Sequence, residues 1–161
     1  MLKKLKPKKI QPAGGHFAIV ASNYNERYVG ALLRSARAVL NEAKVEGVQI
    51  VRVPGAYEIP VVAATLARAD SPYFSAIICL GVIFRGETSH AQHIAEAVSN
   101  ALAQIQVTAA MPVIHGVYLF ENEQQARIRC LDKEHNRGAE VARTALEMAQ
   151  IMKHIHKTNF V

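Results

Sequence analysis

Short apolar runs alternate along this chain with longer stretches in which apolar residues recur every three or four positions. His16 to Ser22 (HFAIVAS) is the first such run and reads as a buried strand. From about Glu26 to Ala43 the period changes, and Leu32, Leu33, Ala36, Val39 and Leu40 fall on one face of a predicted helix. Val48 to Val53 (VQIVRV) predicts a second strand, ended by Pro54-Gly55, and a helix from about Glu58 to Ala69 tolerates Pro60 in its first turn. Ser75 to Gly81 (SAIICLG) is a third strand, apolar on both faces, as in the interior of a covered parallel sheet. A helix from about Ser89 to Val107 and a fourth strand, Pro112 to Leu119, follow. Two helices close the chain, Glu123 to about Lys133 and about Gly138 to His154.

Regular strand–helix alternation implies right-handed crossovers and a three-layer α/β/α sandwich around a four-stranded parallel sheet, with flavodoxin-like topology. Ligands of such sheets bind beyond the carboxyl ends of the strands. That rule selects four loops: Asn23 to Asn25, Pro54 to Glu58, Val82 to His90, and the turn after Leu119. A flavodoxin-type electron carrier also needs a Gly/Ser/Thr-rich phosphate loop after strand one, which Ser22-Asn-Tyr-Asn-Glu-Arg lacks.

Composition narrows the class further. The 161 residues suffice for one domain, and half of them are apolar. No apolar run approaches the ~20 residues that span a bilayer, and the basic N-terminus lacks a secretory apolar core, so a cytoplasmic location without membrane partners is expected. The formal charge of +6 suggests nucleic acid until its position is checked: Lys3, Lys4, Lys6, Lys8 and Lys9 all lie in the first segment. Without interleaved aromatics, residues 1–15 read as a basic mobile arm preceding a domain over 16–161, and nucleic-acid binding is not expected. Cys79 in an apolar strand and Cys130 on a charged helix lack metal-ligand spacing and read as reduced thiols.

The loop after strand three carries the richest chemistry. Gly86-Glu87-Thr88 opens into a helix, whose free N–H groups and dipole form an anion site, with Thr88 as its cap; an ordinary N-cap explains the same residues equally well. His90 sits in the first helical turn, where the dipole favours a neutral imidazole able to take and return protons. Arg127, Arg129, Lys133 and Arg137 form a cationic stretch suited to clamping a phosphate, although a solvated helix face is the simpler reading of that segment alone. Tyr24 and Tyr57, with Glu58, offer aromatic faces beside a carboxylate; plain core packing is the alternative for both tyrosines.

Together these segments resemble the lumazine synthase family. The match runs from Phe17 onward through Asn23-Tyr24-Asn25, VPGAYEIP (Val53 to Pro60), LGVIFRGETSH (Leu80 to His90), PVIHGV (Pro112 to Val117), EQQARIR (Glu123 to Arg129) and NRGAEVARTALEM (Asn136 to Met148). The resemblance implies condensation of 5-amino-6-ribitylaminouracil with 3,4-dihydroxy-2-butanone 4-phosphate to 6,7-dimethyl-8-ribityllumazine, the penultimate step of riboflavin biosynthesis. It implies no metal and no cofactor. By the same resemblance His90 transfers protons, while Gly86, Glu87, Thr88 and Arg129 form the phosphate site. Tyr24 stacks on the heterocycle, Ala56, Tyr57 and Glu58 hold the ribityl side, and Val82, Ile83 and Phe84 lie along the pyrimidine, joined by His115 and Arg137.

The chain makes three departures from the family pattern. Ala91-Gln92 stand where an aromatic and an acid are usual, His115 replaces an aromatic at the end of the fourth strand, and Arg137 replaces a lysine. Ala91-Gln92 motivates a competing reading, a catalytically weak relative that binds a flavin-like ligand or builds a shell. The resemblance also implies pentamers, in some members packed into hollow shells, with active sites between subunits. On that pattern Arg129 and His115 come from the neighbour of the subunit donating His90, residues 10–15 lie against the neighbour's sheet, and riboflavin synthase is a candidate partner.

Overall fold

The computed structural model describes residues 9–69 and 73–158. The lysine-rich start, to which the mobile-arm expectation applies, lies outside the described residues except for Lys9 onward. The elements are β1 (His16–Ser22), α1 (Glu26–Glu42), β2 (Gly47–Val53), a 3₁₀ turn (Ala56–Glu58) leading into α2 (Ile59–Ala67), β3 (Phe74–Phe84), α3 (His90–Ala109), β4 (Val113–Phe120), α4 (Glu123–Ala126) with a π-helical turn (Arg127–Leu131), and α5 (Arg137–Lys157).

The four strands form one parallel sheet in the order β2-β1-β3-β4. The two-residue period of the central strands divides the core in two. Phe17, Ile19 and Ala21 of β1 point with Ala76, Ile78 and Leu80 of β3 into the layer formed by α1 and α5. Ala18 and Val20 point with Ile77 and Cys79 into the opposite layer, against Ile59 and Ala63 of α2 and Val98 and Leu102 of α3. The expected sandwich is therefore the observed one. The start of α5 approaches α1 so closely that a Cβ on Gly138 would overlap the Leu32 carbonyl, which is why the helix opens with glycine at that position.

Three expectations need correction. β3 continues to Phe84, so Val82, Ile83 and Phe84 are strand residues paired with β4 rather than loop residues. The predicted helix from Glu123 to Lys133 is a single α-turn followed by a π-turn that ends at Leu131. Cys130 lies in that π-turn and is fully buried, not on an exposed charged face, and burial pushes its thiol up to about 12. Both cysteines are free. Before β1, Ile10 packs against the α1/α5 layer, and the Ala13 amide donates to the Ala43 carbonyl at 2.9 Å.

Candidate functional site

At the carboxyl edge of the sheet the first two loops are locked to each other by backbone. The Asn23 amide donates to the Val53 carbonyl (2.7 Å) and the Tyr24 amide to the Pro54 carbonyl (3.0 Å). Arg52 adds bonds to the Asn23 side chain and the Ser22 carbonyl, both at 3.0 Å, and pairs with Glu26. Asn25 adopts the left-handed conformation (φ 59°) and its side-chain amide donates to the Val82 carbonyl at 2.8 Å, tying this loop to β3. With its backbone so fixed, Tyr24 projects outward and is 72% exposed; Tyr57 in the next loop is 63% exposed. Core packing is excluded for both. Glu58 has a structural task as well, since its carboxylate accepts from the Gly55 amide at 2.8 Å and closes the 3₁₀ turn. Ala56 is buried beneath it.

β3 outruns β1. Its pairing with β1 ends at Ala21–Leu80, whereas pairing with β4 runs on to Phe84–Phe120. Among the described residues no strand partners Gly81 to Phe84 on the β1 side, and the Val82 carbonyl there is taken by the Asn25 side chain. The side chains are used elsewhere: Val82 is buried, and Phe84 sits edge-on to Tyr28 (5.5 Å) and near Phe120 (6.3 Å).

The turn that follows is an amide cradle. No amide of Gly86, Glu87, Thr88 or Ser89 donates a hydrogen bond among the described residues. The expectation that Thr88 caps α3 needs correction: Ser89 occupies the cap position without a side-chain bond, and Thr88 instead accepts weakly from the His90 amide (3.4 Å). The cradle is consequently open at the N-terminus of a 20-residue helix, where an anion meets both free donors and the positive end of the dipole. His90, the first residue of α3, is exposed beside it.

The remaining predicted residues stand apart. His115, Arg129 and Arg137 line a groove of about 700 Å³ along the outer edge of β4, with Glu140, Thr144 and Tyr118. None of Tyr24, Tyr57, Glu58, Thr88 or His90 lines it. His115 is the third residue of β4, not the last; its Nε2 lies 2.8 Å from the Ser99 hydroxyl, which itself donates to the Ala95 carbonyl (2.7 Å). Loss of hydration holds the His115 imidazole below its ordinary pKa. Arg137 opens α5 and pairs with Glu140, whereas Arg129 makes no ion pair among the described residues. Arg127 is spoken for by Glu123 (3.3 Å), a carboxylate that also accepts from Tyr28 (2.6 Å) and Arg27 (3.1 Å). The Tyr28 bond, then Arg127, hold Glu123 below the usual carboxylate range. Glu140 was not foreseen from the sequence, although its i,i+3 spacing from Arg137 places it on the same helical face.

Among the described residues no group of three or more His, Cys, Asp or Glu side chains is placed to hold a metal ion, and no helix is long and apolar enough to cross a membrane. Fold and site thus define a doubly wound parallel α/β protein that presents an anion cradle, an exposed imidazole and two exposed tyrosines at the carboxyl edge of its sheet. The chain belongs to the 6,7-dimethyl-8-ribityllumazine synthase family, whose profile matches residues 14–153. Proteins of that name from Xylella fastidiosa (strain M12), Stenotrophomonas maltophilia (strain R551-3) and Xanthomonas oryzae pv. oryzae (strain PXO99A) are 39%, 37% and 36% identical to it over 146 residues. Each alignment covers 89% of this chain and 93–94% of the relative.

Proposed function

We propose that the protein condenses 5-amino-6-ribitylaminouracil with 3,4-dihydroxy-2-butanone 4-phosphate, giving 6,7-dimethyl-8-ribityllumazine in riboflavin biosynthesis, and is in that sense a transferase. The observation that carries the assignment of roles is the open amide cradle at Gly86 to Ser89 directly preceding His90. Amides of Gly86, Glu87 and Thr88 receive the phosphate, the Glu87 side chain turning outward to solvent. Tyr24 stacks on the heterocycle, the end of β3 from Val82 to Phe84 runs along its edge, and Ala56, Tyr57 and Glu58 flank the ribityl chain.

The chemistry asks little of the protein beyond position and proton transfer. The substrate's own amine attacks the ketone, water leaves to give a Schiff base, phosphate is eliminated, and ring closure releases water again. The His90 imidazole beside the phosphate can take the proton lost before elimination and return protons to departing oxygen. Holding two reactants in register supplies much of the remaining acceleration.

Arg129, His115 and Arg137 lie in a different groove of the same chain. They reach His90 in an assembly in which the β4 edge of one subunit meets the carboxyl edge of the next, as in the pentamers of the family, and Arg129 then brings a guanidinium to the cradled phosphate. Riboflavin synthase, which consumes the product, is the natural protein partner.

Mixing the purified protein with both substrates and following lumazine absorbance tests the activity. Mixing His90→Ala with Arg129→Ala protein tests the shared site: hybrid assemblies should regain about a quarter of the wild-type sites if neighbours supply the two residues. Absence of any recovery from co-assembled variants would place both residues in one subunit's site.

A further inference from the structure

The turn that presents His90 is held from outside rather than from within. Its one internal hydrogen bond is the 3.4 Å contact between the His90 amide and Thr88, and a side chain on Gly86 would meet open space. Arg85 supplies what the turn lacks. Its amide donates to the Phe120 carbonyl (2.9 Å), its Nε to Glu121 Oε1 (2.8 Å), and its Nη2 to Gln92 Oε1 (2.9 Å). Gln92 lies two residues beyond His90 in the first turn of α3, and its own amide donates to Glu96 at 2.6 Å. One guanidinium therefore joins the entry of the turn, the helical turn that carries His90, and the end of β4.

We infer that Arg85 is a positioning residue for His90, acting through Glu121 and Gln92, and that it is not a ligand of the phosphate despite its place in the anion loop. The inference rests on the reading of His90 as the proton-transfer group. Two donors of the planar fork, Nε and Nη2, are already committed to different partners, which fixes the plane in a way a lysine cannot reproduce. The pair is exposed and so adds little to folding stability. Its effect belongs instead to turnover, because a misplacement of about 1 Å at a reacting group costs up to ~100-fold in rate.

Steady-state kinetics and melting temperature of Arg85→Lys, Glu121→Gln and Gln92→Ala, beside His90→Ala, test this. Arg85→Lys should lower kcat about tenfold or more while KM for the keto-phosphate stays within about twofold and the melting temperature is unchanged. Glu121→Gln should show a smaller loss of kcat, and so should Gln92→Ala, which removes the acceptor of the guanidinium on α3. A raised KM for the keto-phosphate with kcat intact would make Arg85 an anion ligand and overturn the inference. So would unchanged kcat in all Arg85 and Glu121 variants while His90→Ala is slow. Full turnover by His90→Ala would remove the underlying reading, and this one with it.

Discussion

The two halves of the candidate site are built in opposite ways. The His90 half is assembled from three loops with fixed backbones and projecting, unsupported side chains: Tyr24 and Tyr57 are largely exposed, and the amides of Gly86 to Ser89 are open. The Arg129 half is a groove along an edge strand, walled by α5 and lined by side chains that already have partners, Arg137 with Glu140 and His115 with Ser99. Arg129 makes no ion pair there among the described residues. A surface whose donors and aromatic faces lack partners is arranged for something that arrives from elsewhere, and under the proposed function the Arg129 guanidinium, without an ion pair among the described residues, is the group that meets the phosphate. The difference explains why neither half looks complete alone.

The largest effects should come from cutting each half at its free group. His90→Ala should lower kcat by about 10²- to 10⁴-fold without changing the melting temperature, since general acid–base groups supply that much and the side chain is exposed. Arg129→Ala should instead raise KM for the keto-phosphate about 10- to 100-fold, the worth of charge-assisted bonds to a phosphate of about 1.5–3 kcal/mol. Equal losses of assembly in both variants would show that these side chains are structural and would erase the contrast.

Breaking the frame of one half comes next. Gly138→Ala places a methyl group into the Leu32 carbonyl where α5 crosses α1, and overpacking of this kind costs about 1–3 kcal/mol. The thermal midpoint should fall, and the groove side should loosen before the His90 side because Arg137 and Glu140 sit in the same first turn of α5. An unchanged midpoint would mean that the α1–α5 approach is looser than it stands here. Smaller again, Tyr24→Ala should weaken binding of the aminopyrimidine by about 1 kcal/mol of stacking while leaving stability within about 0.5 kcal/mol. A large drop in stability on titrating denaturant against that variant would return Tyr24 to a packing role.

How much of this was legible in the sequence varied with how local the signal is. β1 and α1 were readable to within a residue because burial on a sheet or helix imposes a period on the chain itself. The last three residues of β3 were not, because Val82 to Phe84 become strand through pairing with Tyr118 to Phe120 of β4, a partner set by the fold. The break of the predicted helix at Arg127 was hidden for the same kind of reason. EQQARIRCL has a helical pattern, and the π-turn arises where Cys130 is buried against the core and Asn136 bonds its carbonyl. Of the site, the loop motif exposed His90 and the cradle, while the separation of Arg129 from His90 lay in topology and could not be read from spacing.

The smallest effect distinguishes the halves by pH. His115 is the one histidine of the groove, and desolvation disfavours its imidazolium, so its folded pKa lies below the ordinary 6.5. Between those two values the unfolded chain binds more protons than the folded one, so stability rises with pH across that window. The stabilisation is fully present above 6.5 and is lost as pH falls through the folded value. The Ser99 hydroxyl spends its proton on Ala95, so Nε2 of the neutral ring donates to Ser99 and already has its partner; Nδ1 is the nitrogen that must be protonated in acid. His115→Gln keeps a donor toward Ser99 and removes the titration. Melting curves of the two proteins should therefore run parallel above about pH 7 and converge or cross as the wild type loses ground below it. Curves that stay parallel down to about pH 5 would mean that His115 is as well hydrated as the exposed His90, and the two halves would then not differ in this respect.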